Sequence, residues 1–116
     1  MDNMWKKQKT PRKKKKHGKS ILQVKDGRCY LCMKLGMYGK YPIVHKHHVF
    51  GGTANRKISE EYGLTVYLCP GHHEFTPEAV HVNAGNMLLI RQDAQRMFEK
   101  MYSHEEFMSL FGKNYL

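Results

Sequence analysis

Three cysteines and one histidine, spaced as two pairs, most constrain what this chain can fold into. Cys29 and Cys32 are separated by two residues, and so are Cys69 and His72. Tetrahedral zinc accepts three thiolates and one imidazole, and closed sites of this kind stabilise small folds. The spacing therefore predicts a structural zinc site that uses every cysteine. Two alternatives stay open: His73 supplies the fourth ligand instead of His72, or the cysteines are reduced and buried without a metal.

The size of the chain and its cysteine content agree with this prediction. A chain of 116 residues suits one small domain, whose modest core would benefit from a metal cross-link. The sequence has an odd number of cysteines, no N-terminal apolar run that resembles a signal peptide, and no apolar stretch that could span a bilayer. We therefore expect a cytoplasmic protein without a membrane partner, in which Cys/His clusters bind metal rather than form disulfides.

The positive charge is concentrated at the start of the chain. Residues 1–20 hold nine Lys or Arg and one acid, whereas residues 21–116 hold eleven bases and nine acids. We expect a disordered basic tail over 1–20 and a folded domain over 21–116. The tail predicts nucleic-acid binding through phosphate contacts, chiefly by its lysine run, which comprises Lys13, Lys14, Lys15 and Lys16. A solubility tail or a membrane-surface patch is the alternative, although the amphipathic pattern of a membrane helix is missing.

The folded part has the pattern of an α+β domain. Runs rich in β-branched and aromatic residues predict strands over 41–50 and 64–68, joined by a basic loop and a short helical turn over 53–63. Pro70 suits the first turn of a helix. Asn83 is a suitable N-cap for a helix over 84–102, and Ser103 opens a last helix with a capping-box pattern. Apolar residues recur at helical spacing in the first of these helices and predict its core face, which comprises Met87, Ile90, Ala94, Met97, Phe98 and Met101. These elements predict a ββα core followed by C-terminal helices.

A second histidine cluster suggests chemistry beyond the zinc site. His47 and His48 are adjacent on the first predicted strand, and His73 directly follows a predicted zinc ligand. Strand alternation turns His47 and His48 to opposite faces, so they can share a site only near a strand end, which Gly51 and Gly52 would provide. Metal-dependent nucleases need an ion on the scissile phosphate and a neutral base to activate water. Both needs are met if His47 binds the metal and His48 is the base.

At this point the sequence resembles the zinc-containing HNH, or ββα-metal, endonucleases. The resemblance covers residues 29–82 and is carried by three motifs: Cys29-x-x-Cys32, His47-His48, and Leu68-Cys69-x-x-His72-His73. The sequence is most similar to the RecA-dependent recombination-enhancement nucleases of phages, which add a basic N-terminal arm. The resemblance implies DNA cleavage by a phage-encoded enzyme linked to recombination, with a recombinase filament as a further partner.

The same resemblance implies roles for individual residues. His47 and His73 would bind the catalytic ion, which could be Mg²⁺, Mn²⁺ or Zn²⁺, and His48 would be the general base. His81 would be a third ligand of that ion. Many members of this family place an asparagine shortly before the Leu-Cys step, where this chain has Leu64 and Thr65. Asn55 is the only asparagine between the histidine motifs, so it either braces the loop from further away or the brace is absent.

Arg56 and Lys57 could hold phosphate near this site, or they could belong to an exposed polar loop. The role of Trp5, which is alone in the tail, stays open between base stacking and packing on the domain. Three functions therefore compete. The first is a metal-dependent endonuclease, the second is a non-catalytic zinc module that binds nucleic acid, and the third is an interaction protein whose tail docks on an acidic partner.

Overall fold

A hairpin of two short strands and four α-helices make up the part of the chain that the structure describes. The structure is a computed structural model and describes residues 18–116. The predictions for most of the basic tail, including Trp5 and the lysine run 13–16, lie outside the described residues. In chain order the elements are α1 (Tyr30–Lys34), β1 (His45–His48), α2 (Thr53–Tyr62), β2 (Thr65–Leu68), a π-helical turn (Gly71–Phe75), α3 (Ala84–Met101) and α4 (His104–Phe111). The predicted α+β class is confirmed.

The two strands pair antiparallel but are shorter than predicted. His45 lies opposite Leu68 and His48 opposite Thr65. The predicted strand 41–50 was therefore too long, because β2 ends at Leu68 and offers residues 41–44 no further partner. The backbone around Lys40 instead pairs with Arg28 in an isolated bridge. Ile43 is consequently 62% exposed rather than part of a buried strand face.

The segment between the strands is a helix, where a basic loop with a short turn was predicted. Helix α2 spans Thr53–Tyr62 and ends, as expected, at Gly63, which is left-handed with φ of 72°. Asn55, Arg56 and Lys57 therefore lie on a helix rather than in a loop. The exposed face of a helix is as polar as a loop, so sequence alone did not separate the two. The buried side of α2 is centred on Ser59.

The helices after the hairpin begin and end close to their predicted positions. The helix expected to open at Pro70 is a five-residue π-helical turn. The Asn83 side chain caps α3 by accepting a hydrogen bond from the N–H of Asn86 at 2.9 Å. Ser103 caps α4 in the same way through the N–H of Glu106 at 3.0 Å. Both predicted caps are confirmed, and within residues 18–116 no helix is long and apolar enough to cross a bilayer.

The core lies between the hairpin and the two last helices. Phe50, which follows β1, is 1% exposed, and its ring centroid lies 5.5 Å from that of Phe107 and 4.4 Å from that of Phe111. Helix α3 buries Ile90, Ala94 and Phe98, as its spacing predicted. The prediction that Met101 is a core residue was wrong, because it ends the helix and is 54% exposed.

Ser59 ties α2 to the loop that follows β1. Its side chain is fully buried. Its hydroxyl donates a hydrogen bond to the carbonyl of Phe50 at 3.2 Å and accepts one from the Phe50 N–H at 3.3 Å. Ser59 therefore braces this loop from the helix that also carries Asn55, four positions earlier. It holds the backbone two residues after His48.

We expect Ser59→Ala to destabilise the fold by about 1–3 kcal/mol, because the Phe50 backbone groups would be left buried without a partner. Ser109→Ala, which changes an exposed serine on α4, should shift the free energy of unfolding by less than about 0.5 kcal/mol. Denaturant-induced unfolding followed by circular dichroism measures both values. Equal stability of the two variants would contradict the role given to Ser59.

Candidate metal centres

The first centre is the set of three cysteines and one histidine. Cys29 is the N-cap of α1, and its sulfur accepts a hydrogen bond from the N–H of Cys32 at 3.5 Å. Cys69 directly follows β2, and His72 lies in the π-helical turn. The local fold therefore brings one pair from the start of a helix and one from the end of a strand. All three cysteines are buried.

The distances within this centre fit one tetrahedral ion. Nδ1 of His72 lies 3.4 Å from the sulfur of Cys29, 3.4 Å from that of Cys32 and 3.5 Å from that of Cys69. The sulfurs of Cys32 and Cys69 are 4.0 Å apart. Zinc–ligand bonds of ordinary length at tetrahedral angles place sulfur about 3.5 Å from nitrogen and about 3.8 Å from sulfur. The four residues could therefore hold a metal ion such as zinc.

A thiolate is the form of cysteine that binds a metal, and burial works against that form at Cys29. Burial raises the pKa of Cys29 to about 12, so its thiol stays protonated unless a cation replaces the proton. The hydroxyl of Tyr41 lies 3.0 Å from the sulfur of Cys32, where it can donate a hydrogen bond to a thiolate. Such a bond adds to the charge stabilisation that a metal would give.

Adjacent histidines of the π-helical turn belong to different clusters. His72 contacts the three sulfurs, whereas Nε2 of His73 lies 3.1 Å from Nε2 of His81. The geometry thus favours His72 over His73 as the fourth ligand of the cysteine site. Nδ1 of His73 lies 2.9 Å from Nδ1 of His45, and a carboxylate oxygen of Glu74 lies 3.8 Å from the same nitrogen. Contacts to the second nitrogen fix the orientation of an imidazole whose first nitrogen binds a metal.

The second centre is a cluster of three histidines from three parts of the chain. His47 comes from β1, His73 from the π-helical turn, and His81 from the turn before α3. One ring nitrogen of each lies within 4.8 Å of those of the other two. The structure therefore brings together the three residues for which the sequence analysis predicted a shared ion.

His47 is the most constrained member of this cluster. It is 4% exposed, and within the described chain its Nε2 is buried without a hydrogen-bond partner. Burial, together with the neighbouring His81 and His73, lowers the pKa of His47 to about 3. The imidazole is thus neutral at physiological pH. A buried polar nitrogen without a partner costs about 1–3 kcal/mol, a cost that a bound ion would remove.

His48 faces the opposite side of the strand, as alternation predicted. Its Nε2 lies 2.7 Å from one carboxylate oxygen of Glu60 on α2, and Nζ of Lys46 lies 2.8 Å from the other oxygen. His48 is the last residue of β1 and is also one of the residues that line the cavity beside His47. Both histidines at this strand end therefore border one space, although their side chains diverge.

That space is a cavity of about 520 Å³ with a strongly cationic lining. Its lining residues include the three clustered histidines, His48, and three permanently charged side chains: Lys46, Arg56 and Arg91. None of the lining residues within 18–116 is acidic. A neighbouring cavity of about 540 Å³ shares Lys46, His48 and Arg56 with it and adds Lys57. Arg56 thus lies beside the histidine cluster, whereas Lys57 lines only the second cavity, together with His48, Glu60 and Glu61.

Four residues that shape this site were given no role from the sequence: His45, Ser59, Glu60 and Arg91. A signal was present only for His45, which shares a strand face with His47 by simple alternation. Glu60 and Arg91 reach the site only through the packing of α2 and α3 against the hairpin. No local pattern in the sequence reports such contacts.

His72→Ala should alter the cysteine centre, whereas His73→Ala should not. In cobalt-substituted protein, His72→Ala should shift the thiolate–cobalt absorption and lower the midpoint of thermal unfolding, because it removes a ligand. His73→Ala should leave that spectrum unchanged, because this side chain faces the other cluster. If the thiolate–cobalt spectrum changes in His73→Ala and stays the same in His72→Ala, then His73 is the fourth ligand and the assignment is reversed.

Comparison with known proteins assigns no family to this chain. It matches no protein-family model, no curated protein and no solved structure. The likeness to HNH endonucleases thus rests on the cysteine and histidine motifs alone. The structure itself shows a small α+β fold with one buried Cys₃His cluster that could hold a metal such as zinc, and a separate histidine cluster in a cationic cavity.

Proposed function

We propose that this protein is a metal-dependent endonuclease of the HNH type that cleaves DNA phosphodiester bonds. One observation carries the proposal: His47, His73 and His81 converge in the cationic cavity that His48 also lines. Metal ligands, a base and an anion-binding lining are the three components that metal-assisted phosphodiester hydrolysis needs. In this proposal the cavity combines all three in residues from five parts of the chain: β1, α2, the π-helical turn, the turn before α3, and α3 itself.

In this proposal the cysteine centre holds structural zinc. Its ligands join α1, the end of β2 and the π-helical turn. A bound zinc fixes the backbone at His72 and so aims His73, the next residue, at His47 and His81. The zinc is not part of the reaction, because its ligand set of four protein residues leaves no open position.

The histidine cluster would hold the catalytic ion. Held by His47, His73 and His81, a divalent ion supplies positive charge against the negative charge that develops on the phosphate. An all-imidazole set favours zinc and related transition metals over Mg²⁺, which prefers oxygen ligands. Burial also lowers the pKa of His73, so neutral, ligand-competent imidazoles are favoured at both His47 and His73.

His48 would take the proton from the attacking water. Its Nε2 is 2.7 Å from Glu60, and an ionised carboxylate can only accept a hydrogen bond. Neutral His48 therefore carries its proton on Nε2, which leaves the lone pair of Nδ1 available as the base. Glu60 also orients the ring and stabilises the imidazolium that forms, as a carboxylate does behind other histidine bases.

DNA would be bound by cationic side chains of the two neighbouring cavities that His48 lines. Arg56 lines both cavities, and Lys57 lines the second one. Gly18, the first described residue, donates its N–H to the carbonyl of Glu60 at 2.9 Å, so the described chain begins beside helix α2. In the proposal the preceding basic segment, with Lys13 to Lys16, adds contacts to phosphate, and a recombinase filament remains a further proposed partner.

The runner-up is a zinc module that binds nucleic acid without cutting it. One contact favours it, because an imidazole paired with a carboxylate is also a common structural arrangement. In that case the His48–Glu60 pair only joins β1 to α2. The two functions differ in what a divalent metal does to bound DNA.

His48→Ala should abolish metal-dependent nicking of supercoiled plasmid, with a loss of at least about 100-fold, because general-base catalysis contributes this much. DNA binding and zinc content should stay unchanged. His104→Ala is the matched control, because this exposed histidine is paired with Glu99 and neither residue is among those that line the cavity. Gel-resolved nicking in Mg²⁺, Mn²⁺ or Zn²⁺ measures the effect. Wild-type protein that never nicks DNA, even with a recombinase filament present, would contradict the enzyme and leave the zinc module.

Deleting residues 2–17 should weaken DNA binding and flatten its dependence on salt, because binding through fewer phosphate contacts releases fewer counterions. The deletion ends before Gly18 and Ser20, so their contacts with the domain are kept. The N–H of Gly18 donates to the carbonyl of Glu60, and the hydroxyl of Ser20 donates to the carbonyl of Thr65. The slope of log affinity against log salt concentration measures the effect. A slope equal to that of the whole chain would show that the segment does not bind phosphate.

A further inference from the structure

The arginines of the described chain divide into two groups by their partners. Arg28 is ion-paired with Asp26, and Arg96 with Asp93. Arg56 and Arg91 have no carboxylate within ion-pair distance among residues 18–116, and both line the cavity of the histidine cluster. An arginine without an acidic partner in a cavity without acidic lining is available to an anion from outside the chain.

Arg91 differs from Arg56 because the fold holds its guanidinium in place. Its Nε donates a hydrogen bond to the carbonyl of Val49 at 3.3 Å. Val49 directly follows His48, so this bond places the cation at the end of the strand that carries both histidines. The guanidinium carbon also lies 5.5 Å from the centre of the Tyr115 ring. With Nε used, the two terminal nitrogens and their four N–H groups remain for a ligand.

Tyr115 is itself fixed by the side chains of α3. Its N–H donates to Oε1 of Gln95 at 2.8 Å, and its carbonyl accepts from Nε2 of Gln92 at 2.9 Å. Gln95 is fully buried, which is unusual for a glutamine and gives these bonds a rigid base. The ring of Tyr115 also packs at 5.3 Å on Phe50. Tyr115 thus presents a fixed ring to the Arg91 guanidinium.

We propose that Arg91 is a phosphate-binding residue of the histidine cavity, and that Tyr115 positions its guanidinium. This inference rests on the proposed function, since the phosphate belongs to DNA placed beside His47 and His48. The guanidinium fork matches two phosphate oxygens at once, and a fork fixed on two sides loses little freedom on binding. Lys46 cannot take this role equally well, because its ammonium already pairs with Glu60.

The test measures DNA affinity in a His48→Ala background, so that no cleavage disturbs binding. Fluorescence anisotropy of a labelled duplex compares Arg91→Ala and Arg91→Gln with Arg96→Ala, the matched arginine on the same helix. Arg91→Ala should weaken binding about 5- to 20-fold and reduce the salt slope by about one, which is the effect of one lost phosphate contact. Arg96→Ala should change neither. Arg91→Gln keeps a donor for the Val49 carbonyl, so its loss of affinity reports the charge even if Arg91→Ala unfolds.

The positioning role of Tyr115 has its own pair of variants. Tyr115→Phe keeps the ring and should retain the affinity, whereas Tyr115→Leu keeps apolar volume without a ring and should weaken binding about threefold, since one cation–π contact is lost. Equal affinity of the two variants would remove Tyr115 from the proposal.

The outcomes separate this inference from the proposed function. If wild-type protein nicks DNA while Arg91→Ala binds as tightly as Arg96→Ala with an unchanged KM, the inference is overturned and the nuclease stands. If wild-type protein never nicks DNA but Arg91→Ala and Arg91→Gln lose affinity, Arg91 remains the phosphate contact of a binding module. If neither wild-type nor His48→Ala protein binds DNA at any salt concentration, both proposals fail.

Discussion

The convergence of Cys29, Cys32, Cys69 and His72 is the constraint on which the rest of the structure depends. These four residues tie the start of α1 to the end of β2 and to the π-helical turn. A domain of this size has a small core, and its hairpin has only four residues in each strand. An ion at this centre would therefore supply rigidity that packing alone does not. It would also fix the backbone at His72, one residue before His73, which belongs to the histidine cluster.

Neighbouring residues take different tasks in this chain because regular backbone turns their side chains apart. In β1 the pleat sends His47 into the histidine cluster and His48 towards Glu60. In the helical turn, His72 contacts three sulfurs while His73 contacts His45 and His81. Two short motifs thus contribute to the Cys₃His cluster, to the histidine cluster and to an imidazole paired with a carboxylate. The cationic cavity then joins the second cluster to His48.

Local chemistry made part of this arrangement predictable. The gaps between Cys29 and Cys32 and between Cys69 and His72 gave the first ligand set, and Asn83 and Ser103 gave the helix starts, because spacing and caps are local properties. The helix over 53–62 was missed because its exposed face is polar, and the strand over 41–50 was too long because pairing depends on a distant partner. Glu60, Ser59 and Arg91 reach the site through tertiary packing, which no single segment encodes.

In our interpretation the boundary between the cysteine centre and the histidine cluster falls between His72 and His73. Anomalous diffraction from crystals of the purified protein, soaked in Mn²⁺ and recorded around the zinc edge, tests this division. We expect zinc bound by the three cysteines and His72, and a separate ion bound by His47, His73 and His81. Zinc bound by His73 together with the cysteines, or a histidine cluster that takes up no ion at saturating metal, would contradict it.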